Sequence, residues 1–186
     1  QRGSVCLYQG EELGLTEAEL AFEQLVDPAG ITFWPSYKGR DGCRTPMPWV
    51  AEAPHGGFSG AMPWLPVPEE HLPLAVDRQE RDSDSLLNAY RAFLAFRRTQ
   101  PALIKGDIHY QPLADDVIRF ERRHGDERLL VALNFADEPR RLAAPTGAEG
   151  LTEAPDWING RWSEGRLELP AFGIAIARCP SDTRHQ

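Results

Sequence analysis

Two arginines lie four residues apart in the stretch GRDGCRTPMPW, which occupies residues 39–49. Gly42 permits unusual backbone angles, whereas the prolines of the stretch have fixed backbone angles and donate no hydrogen bond. The stretch therefore predicts a stiff loop that projects Arg40 and Arg44 from fixed points. Planar guanidinium groups suit carboxylates, phosphates and the vicinal hydroxyls of sugars. In the alternative interpretation, Arg40 and Asp41 form an ion pair that only holds the loop together.

Acidic residues follow a short apolar run near the beginning of the sequence. Residues 4–8, SVCLY, have the composition of a strand buried on both faces, as in a parallel sheet. Glu11 and Glu12 come just after it, and α/β barrels place their sites beyond the carboxyl ends of their strands. Alternatively, these glutamates brace the loop by accepting backbone N–H groups or by pairing with Arg40 or Arg44.

The segment from residue 31 to residue 73 is irregular and rich in glycine, proline and tryptophan. Irregular segments of this length in compact domains are usually functional. Four aromatic residues are candidates for stacking on sugar rings, or for packing that holds the loop together: Trp34, Trp49, Phe58 and Trp64.

The composition argues against two classes of partner. The 186 residues carry a net charge of −8 with no basic stripe, so nucleic acid and anionic membrane surfaces are not expected partners. The apolar runs are too short to span a bilayer, and no signal peptide is visible. Cys6, Cys43 and Cys179 form neither a disulfide framework nor a zinc motif, which favours a reducing cytoplasm. Cys43 is interpreted as a small buried residue rather than a nucleophile.

Two helices are predicted in the first part of the chain. The pattern TEAE predicts a helix from residue 16 to about residue 26, which the turn residues at 27–30 end. A longer helix is predicted over residues 83–98, with caps at 82–84 and Pro101 closing it. Its apolar stripe consists of Leu86, Leu87, Tyr90, Phe93 and Leu94.

The pattern changes from helical to alternating after Lys105, where we place a domain boundary. Strands are predicted over residues 117–121, 129–135, 161–162, 166–169 and 174–177, which is typical of a small antiparallel sandwich or barrel. Residues 181–186 are expected to be disordered. The sequence begins with Gln1, close to a parallel strand whose neighbours it does not contain, so it reads as a piece of a longer protein.

Three ordered motifs carry a family resemblance: YQGEELG at residues 8–14, GRDGCRTPMPW at 39–49, and GFS at 57–59 followed by PW at 63–64. Together they resemble the α-glucosidases of glycoside hydrolase family 13, a group that includes oligo-1,6-glucosidase, dextran glucosidase and sucrose isomerases. Gly42, Cys43 and Pro48 replace the Asn, Ala and Gln that relatives often have, and look like the short-loop bacterial α-glucosidases.

The resemblance implies a fold that is α/β plus all-β. Residues 1–105 would be the last part of a (β/α)8 TIM barrel, with strand 8 at residues 4–8 and helix 8 at residues 83–98. Residues 106–180 would form an antiparallel β-sandwich C-terminal domain.

The resemblance also implies the C-terminal portion of a retaining α-glucosidase that acts on oligosaccharides. Such enzymes use two carboxylates, which by the family pattern precede Gln1, so no catalytic residue, metal ligand or cofactor is assigned here. Arg40 matches the arginine that binds the terminal glucose, Arg44 a second arginine near the site, and Glu17 an acid on the leaving-group side. The isolated chain is expected to be inactive and to self-associate through Leu87, Tyr90 and Phe93. The alternative function is a non-catalytic carbohydrate-binding or scaffold protein.

Overall fold

The structure is a computed structural model that describes residues 3–113, 116–163 and 165–180. The chain divides into two compact units, one formed by Cys6–Arg91 and the other by Gln1–Val5 with Ala92–Gln186. The division falls within a helix, upstream of the boundary near Lys105 that the sequence predicts. That boundary stays a prediction, and the expected disorder at residues 181–186 lies outside the described residues.

The unit Cys6–Arg91 consists of loops and short helices. It contains α1 (Pro28–Thr32), α2 (Val76–Arg81) and the 3-10 helices Glu11–Leu13, Phe22–Gln24, Asp41–Arg44, Pro54–Gly57 and Glu69–Leu74. Two small apolar clusters hold it together: Ala18, Leu20, Leu25 and Leu65 in one, and Leu13, Met47 and Leu87 in the other. Loops that have their own buried residues keep a defined course despite the absence of strands in this unit.

The strand predicted over residues 4–8 is not formed. The segment is extended, and Val5 and Tyr8 are 55% and 53% exposed. A strand requires hydrogen bonds to a neighbouring strand, and none of the described residues pairs with this segment. The prediction was wrong because an apolar composition favours a buried strand but does not show that a neighbouring strand is present to pair with it.

The helix predicted from residue 16 to about residue 26 is also wrong, and only Phe22–Gln24 makes a single 3-10 turn there. Apart from this turn, backbone groups of the segment bond to residues far along the chain. The Ala18 N–H donates to the Gly42 carbonyl at 3.1 Å. A capping-box pattern cannot nucleate a helix whose backbone groups already have better-placed partners.

Asp27 begins a helix instead of ending one. Its Oδ1 accepts a hydrogen bond from the Ala29 N–H at 3.0 Å, and Pro28 occupies the first position of α1. Asp at the N-cap followed by Pro is a favourable helix start, because the side chain satisfies a backbone donor and the proline has no N–H to satisfy.

The long helix is confirmed as α3, which runs over Leu86–Thr99. It begins three residues later than predicted because Ser85 is the cap, with its Oγ accepting from the Asn88 N–H at 3.3 Å. Leu86 is 43% exposed, so the predicted stripe is displaced, and Leu87 and Phe96 are the buried positions. Pro101 does not simply close α3 but starts α4 (Pro101–Lys105).

The second unit contains two antiparallel sheets. Five strands are ordered β1-β2-β3-β8-β5 and three are ordered β4-β7-β6. The strands are β1 (Asp107–Tyr110), β2 (Val117–His124), β3 (Glu127–Asn134), β4 (Arg140–Ala143), β5 (Glu149–Gly150), β6 (Arg161–Ser163), β7 (Arg166–Leu169) and β8 (Ile174–Arg178). Five of them overlap predicted strands, whereas the short strands β1, β4 and β5 were missed.

The five-stranded sheet is covered on both faces. On one face, Phe120, Leu129 and Ile176 pack with Phe96 and Leu103 from the helices α3 and α4. On the other, buried residues of both sheets form one cluster, which consists of Val117, Ala132, Leu167, Leu169 and Ala175. The two sheets therefore share a core, and their assignment to a family-type C-terminal sandwich stays a prediction.

No helix in the described residues has the length and apolar character needed to cross a membrane.

Candidate functional site

A cavity of about 360 Å³ lies within the unit Cys6–Arg91. Its wall is formed by the end of the extended segment, the turn that follows it, and the loop that carries the two arginines. The side chains used below are those of Tyr8, Glu11, Glu17, Cys43, Arg44 and His71. Carboxylate, guanidinium, hydroxyl and imidazole groups around one concave space suit a ligand rich in hydroxyl groups.

Glu17 reaches the cavity because its backbone is held against the arginine loop. The Ala18 N–H bonds to the Gly42 carbonyl at 3.1 Å. A methyl group at Gly42 would lie 2.5 Å from the Ala18 carbonyl oxygen and 2.9 Å from Cγ of Glu17. Gly42 is therefore required for close approach of two backbone segments, not for unusual backbone angles, since its φ is not in the left-handed region.

Two of the three predicted binding residues share this cavity. Arg44 and Glu17 both line it and both are exposed, and neither has an ion-pair partner among the described residues. A guanidinium only donates hydrogen bonds and a carboxylate only accepts them. Arg44 can therefore donate hydrogen bonds to oxygen atoms of a polar ligand, while Glu17 accepts hydrogen bonds from hydroxyl groups of the same ligand.

Arg40 does not line the cavity. Its backbone N–H and its Nε both donate to Oδ2 of Asp27, at 3.1 and 3.3 Å, while its side chain is 64% exposed. The alternative that Arg40 pairs with Asp41 is wrong. Asp41 is fully buried and accepts hydrogen bonds at 2.7 Å from the backbone N–H groups of Val26 and Asp27.

Asp27 thus connects the start of α1 to the arginine loop. It is 5% exposed and accepts from Ala29 and from Arg40. The Ala29 N–H bond, assisted by the Arg40 contacts, holds the pKa of Asp27 below its usual range, against the opposing effect of burial. The ionised form of Asp27 is therefore the one that fits the fold.

Cys43 is exposed, which corrects the expectation that it is buried. Its thiol donates to the Arg40 carbonyl at 3.1 Å, and the carbonyl oxygen of Cys43 accepts a hydrogen bond from the Tyr8 hydroxyl at 3.1 Å. A weaker contact at 4.0 Å joins the Tyr8 hydroxyl to Sγ of Cys43. Hydrogen bonding to this thiol raises the pKa of Tyr8, so its hydroxyl stays protonated at the cavity wall.

Glu12 braces its own turn, since Oε2 accepts from the Gly10 N–H at 3.0 Å. Glu11 lines the cavity. Among the described residues neither glutamate pairs with Arg40 or Arg44. The bracing interpretation is confirmed for Glu12 through its backbone contact, not through an arginine.

The four candidate aromatic residues are all more than a third exposed, and none lines the cavity. Their exposed fractions are 37% for Trp34, 48% for Trp49, 45% for Phe58 and 63% for Trp64. Trp34 contacts the ring of Phe22, with centroids 5.7 Å apart. Packing within this unit therefore does not account for the full surface of these residues.

His71 is a site residue that the sequence did not single out. It lies in the 3-10 helix Glu69–Leu74, is 1% exposed, and lines the cavity. Its Nε2 lies 3.0 Å from the Thr16 carbonyl oxygen. No local pattern marks such a residue, because the two partners are far apart in sequence.

Within the described residues, no cluster of His, Cys, Asp and Glu could hold a metal ion.

Comparisons with known proteins agree on one family. The profile described as alpha amylase, catalytic domain, matches residues 1–106. A probable alpha-glucosidase of Rhizobium meliloti strain 1021 is 47% identical over 177 residues, which are 95% of this chain and 32% of the relative. A glucan 1,6-alpha-glucosidase of Streptococcus dysgalactiae subsp. equisimilis is 32% identical over 80% of this chain and 31% of its own length.

Two solved structures show the same similarity. The alpha-glucosyl transfer enzyme XgtA superposes with a TM-score of 0.86 at 47% identity, over 95% of this chain and 33% of that one. The trehalulose synthase MutB from Pseudomonas mesoacidophila MX-45 gives a TM-score of 0.77 at 26% identity, over 96% of this chain and 36% of that one. The chain spans about a third of the length of the relatives it matches. Because the profile covers more than half of it, the chain belongs to the alpha-amylase family, glycoside hydrolase family 13.

Proposed function

We propose that this chain is the C-terminal portion of an α-glucosidase that hydrolyses terminal α-glucosidic bonds of oligosaccharides by a retaining mechanism. The observation that carries the proposal is the presence of Glu17 and Arg44 on the wall of one cavity, beside an arginine loop of the family pattern. Relatives named as alpha-glucosidase and glucan 1,6-alpha-glucosidase support the same reaction.

In this proposal the chain contributes binding groups and no catalytic group. A retaining glycosidase places two carboxyl groups about 5–5.5 Å apart across the scissile bond. By the family pattern the catalytic positions precede Gln1, and Glu11 and Glu12 do not match the general acid. We assign Glu17 to the leaving-group side, where its carboxylate accepts hydrogen bonds from hydroxyl groups of the substrate.

The two arginines have different roles. Arg44 donates to substrate oxygens from the cavity wall. Arg40 donates a hydrogen bond from Nε to the Asp27 carboxylate, and most of its side chain is exposed. Its Nη groups therefore suit the hydroxyls of a terminal glucose. A planar donor fixed at one end loses little conformational freedom on binding.

The same proposal includes the domain organisation. Residues 1–105 form the last part of the (β/α)8 barrel, residues 106–180 the C-terminal β-sandwich. The match of the catalytic-domain profile to residues 1–106 and the core shared by the two sheets support this division. The exposed free thiols of Cys6 and Cys43 support a reducing, cytoplasmic location.

Two substitutions test the binding assignment in the full-length protein that contains this chain. Glu17→Gln and Arg44→Met are each expected to raise KM for an aryl α-glucoside by about 10- to 100-fold, since a charge-assisted hydrogen bond contributes about 1.5–3 kcal/mol. The rate constant kcat should change less, because these groups bind the substrate in its ground state as well. Glu23→Gln, at an exposed position away from the cavity, is the matched control. Unchanged KM values in both cavity variants would contradict the assignment.

A second candidate function is non-catalytic carbohydrate binding. It is favoured by the exposure of Trp49, Phe58 and Trp64, since exposed aromatic faces can stack on sugar rings. The two functions differ in turnover. A protein that binds maltose but does not hydrolyse any α-glucoside would support the second function.

A further inference from the structure

We propose that His71 is a positioning residue that holds Glu17 in its place on the cavity wall. This inference rests on the proposed function, in which Glu17 binds substrate. His71 itself is assigned no contact with the reacting atoms. It acts through the backbone of the strap formed by Thr16, Glu17 and Ala18.

The strap is held on both sides of Glu17. On one side, His71 Nε2 lies 3.0 Å from the Thr16 carbonyl oxygen. On the other, the Ala18 N–H donates to the Gly42 carbonyl at 3.1 Å. The exposed Glu17 side chain between these two points has no ion-pair partner among the described residues. Its position therefore depends on the backbone that carries it.

The hydrogen bond to Thr16 also defines the tautomer of His71. A carbonyl oxygen only accepts, so Nε2 must carry the proton and Nδ1 is left as an acceptor in the neutral ring. Nδ1 is buried and has no hydrogen-bond partner within the described residues. His71 lines the cavity and is 1% exposed, so a water molecule is the donor that suits this nitrogen, and Nδ1 is assigned no contact with the substrate.

Side-chain length allows the two nitrogens to be tested separately. A glutamine amide nitrogen can occupy the place of Nε2 and donate to Thr16, whereas the shorter asparagine amide reaches only the place of Nδ1. Phenylalanine fills the volume of the ring and removes both nitrogens. In the full-length protein, we expect His71→Gln to keep KM for an aryl α-glucoside within about twofold of the wild-type value, since it keeps the hydrogen bond.

His71→Asn and His71→Phe are expected to raise KM about 5- to 10-fold with little change in kcat, which corresponds to the loss of about one hydrogen bond. Combining His71→Phe with Glu17→Gln should raise KM no further than Glu17→Gln alone, because both changes remove the same substrate contact. Asn134→Leu is the matched control for stability. Asn134 is a buried side chain that donates to the Glu138 and Pro170 carbonyls, and its loss should lower the unfolding temperature without raising KM.

Two measurements do not depend on activity. Long-range ¹H–¹⁵N spectra of histidine-labelled protein should show His71 protonated on Nε2, and amide exchange at Ala18 should be faster in His71→Phe but not in His71→Gln. Equal KM values for His71→Phe and wild type, equal effects of the Gln and Asn variants, or a proton on Nδ1 would overturn the inference. If the wild-type protein shows no turnover, the proposed function fails, while the tautomer and the Ala18 exchange rate still decide whether His71 holds the strap.

Discussion

At the scale of single residues, the arginine loop is organised by buried carboxylates. The Asp41 carboxylate accepts hydrogen bonds from the backbone N–H groups of Val26 and Asp27. The Asp27 carboxylate in turn accepts from the backbone N–H groups of Ala29 and Arg40. Neither carboxylate is a candidate for catalysis, since each is engaged in holding backbone. The charged side chains that this loop exposes to solvent are those of Arg40 and Arg44.

The lowered pKa of Asp27 has a consequence for stability. A carboxyl group with a lower pKa in the folded state than in the unfolded state, where it is about 3.9, stabilises the fold above that pH and loses this effect as the pH falls through the folded value. Asp27→Asn keeps a helix cap of similar quality but removes the charge. The unfolding temperature of Asp27→Asn should therefore be lower than that of the wild type at pH 7, and this difference should shrink below about pH 4.

The measurement is thermal unfolding of both proteins between pH 7 and pH 3. Asp137→Asn, at an exposed position that makes no hydrogen bond to the arginine loop within the described residues, serves as the control for the substitution itself. A constant difference between Asp27→Asn and wild type over the whole range would show that the ionised carboxylate has no special role.

At the scale of elements, periodic segments were predicted correctly and loop-bonded segments were not. The helix α3 and the strands β2, β3, β7 and β8 follow from their apolar patterns, because their apolar side chains are buried on one face or, in the five-stranded sheet, on both faces. The segment from residue 16 to residue 26 has a helical pattern but bonds through Ala18 to Gly42. Patterns within a window cannot report hydrogen bonds to residues far along the chain.

The start of α3 gives a direct test of this difference. The sequence favours caps at residues 82–84, whereas in the structure Ser85 accepts from Asn88 and donates to the Gln79 carbonyl at 2.7 Å. Ser85→Ala should lower the free energy of unfolding by about 1–2 kcal/mol, as expected for a lost cap with a buried partner.

Ser83→Ala is the matched control, because Ser83 is exposed and should contribute less than about 0.5 kcal/mol. Chemical denaturation of both variants compares the two positions. A larger loss in Ser83→Ala than in Ser85→Ala would place the cap where the sequence suggested.

The candidate site could be predicted only in part. The motif pattern indicated Arg44 and Glu17, which share one cavity, and Arg40, which does not line it. His71 could not be found, because a buried histidine that bonds to the backbone 55 residues away leaves no local signal. Cys43 was expected to be buried because small thiols usually are, but the loop turns it outward.

At the scale of the whole molecule, the isolated chain is expected to self-associate, although not through the residues first suggested. Leu87 is buried, Tyr90 is half-buried and Phe93 packs on a core cluster. Large apolar side chains are instead exposed in the loops, with Met62 at 80% and Trp64 at 63%. Exposed apolar patches promote association.

Light scattering of the isolated 186-residue chain should therefore give a mass above 20.8 kDa that increases with concentration. Replacing Met62 and Trp64 by serine should reduce the association. His124→Ser, in an exposed position of β2, is the control. A monodisperse monomer at all concentrations would contradict this expectation.

The central claim, that the protein of which this chain is a portion is a retaining α-glucosidase, is tested most directly by the product of its reaction. The native protein, purified from its source, should be incubated with an aryl α-glucoside and followed by ¹H NMR. Two successive displacements keep the configuration at the anomeric carbon, so α-glucose should appear first and convert to the β-anomer only by mutarotation. Initial release of β-glucose would contradict the retaining mechanism, and no release of glucose would contradict the claim as a whole.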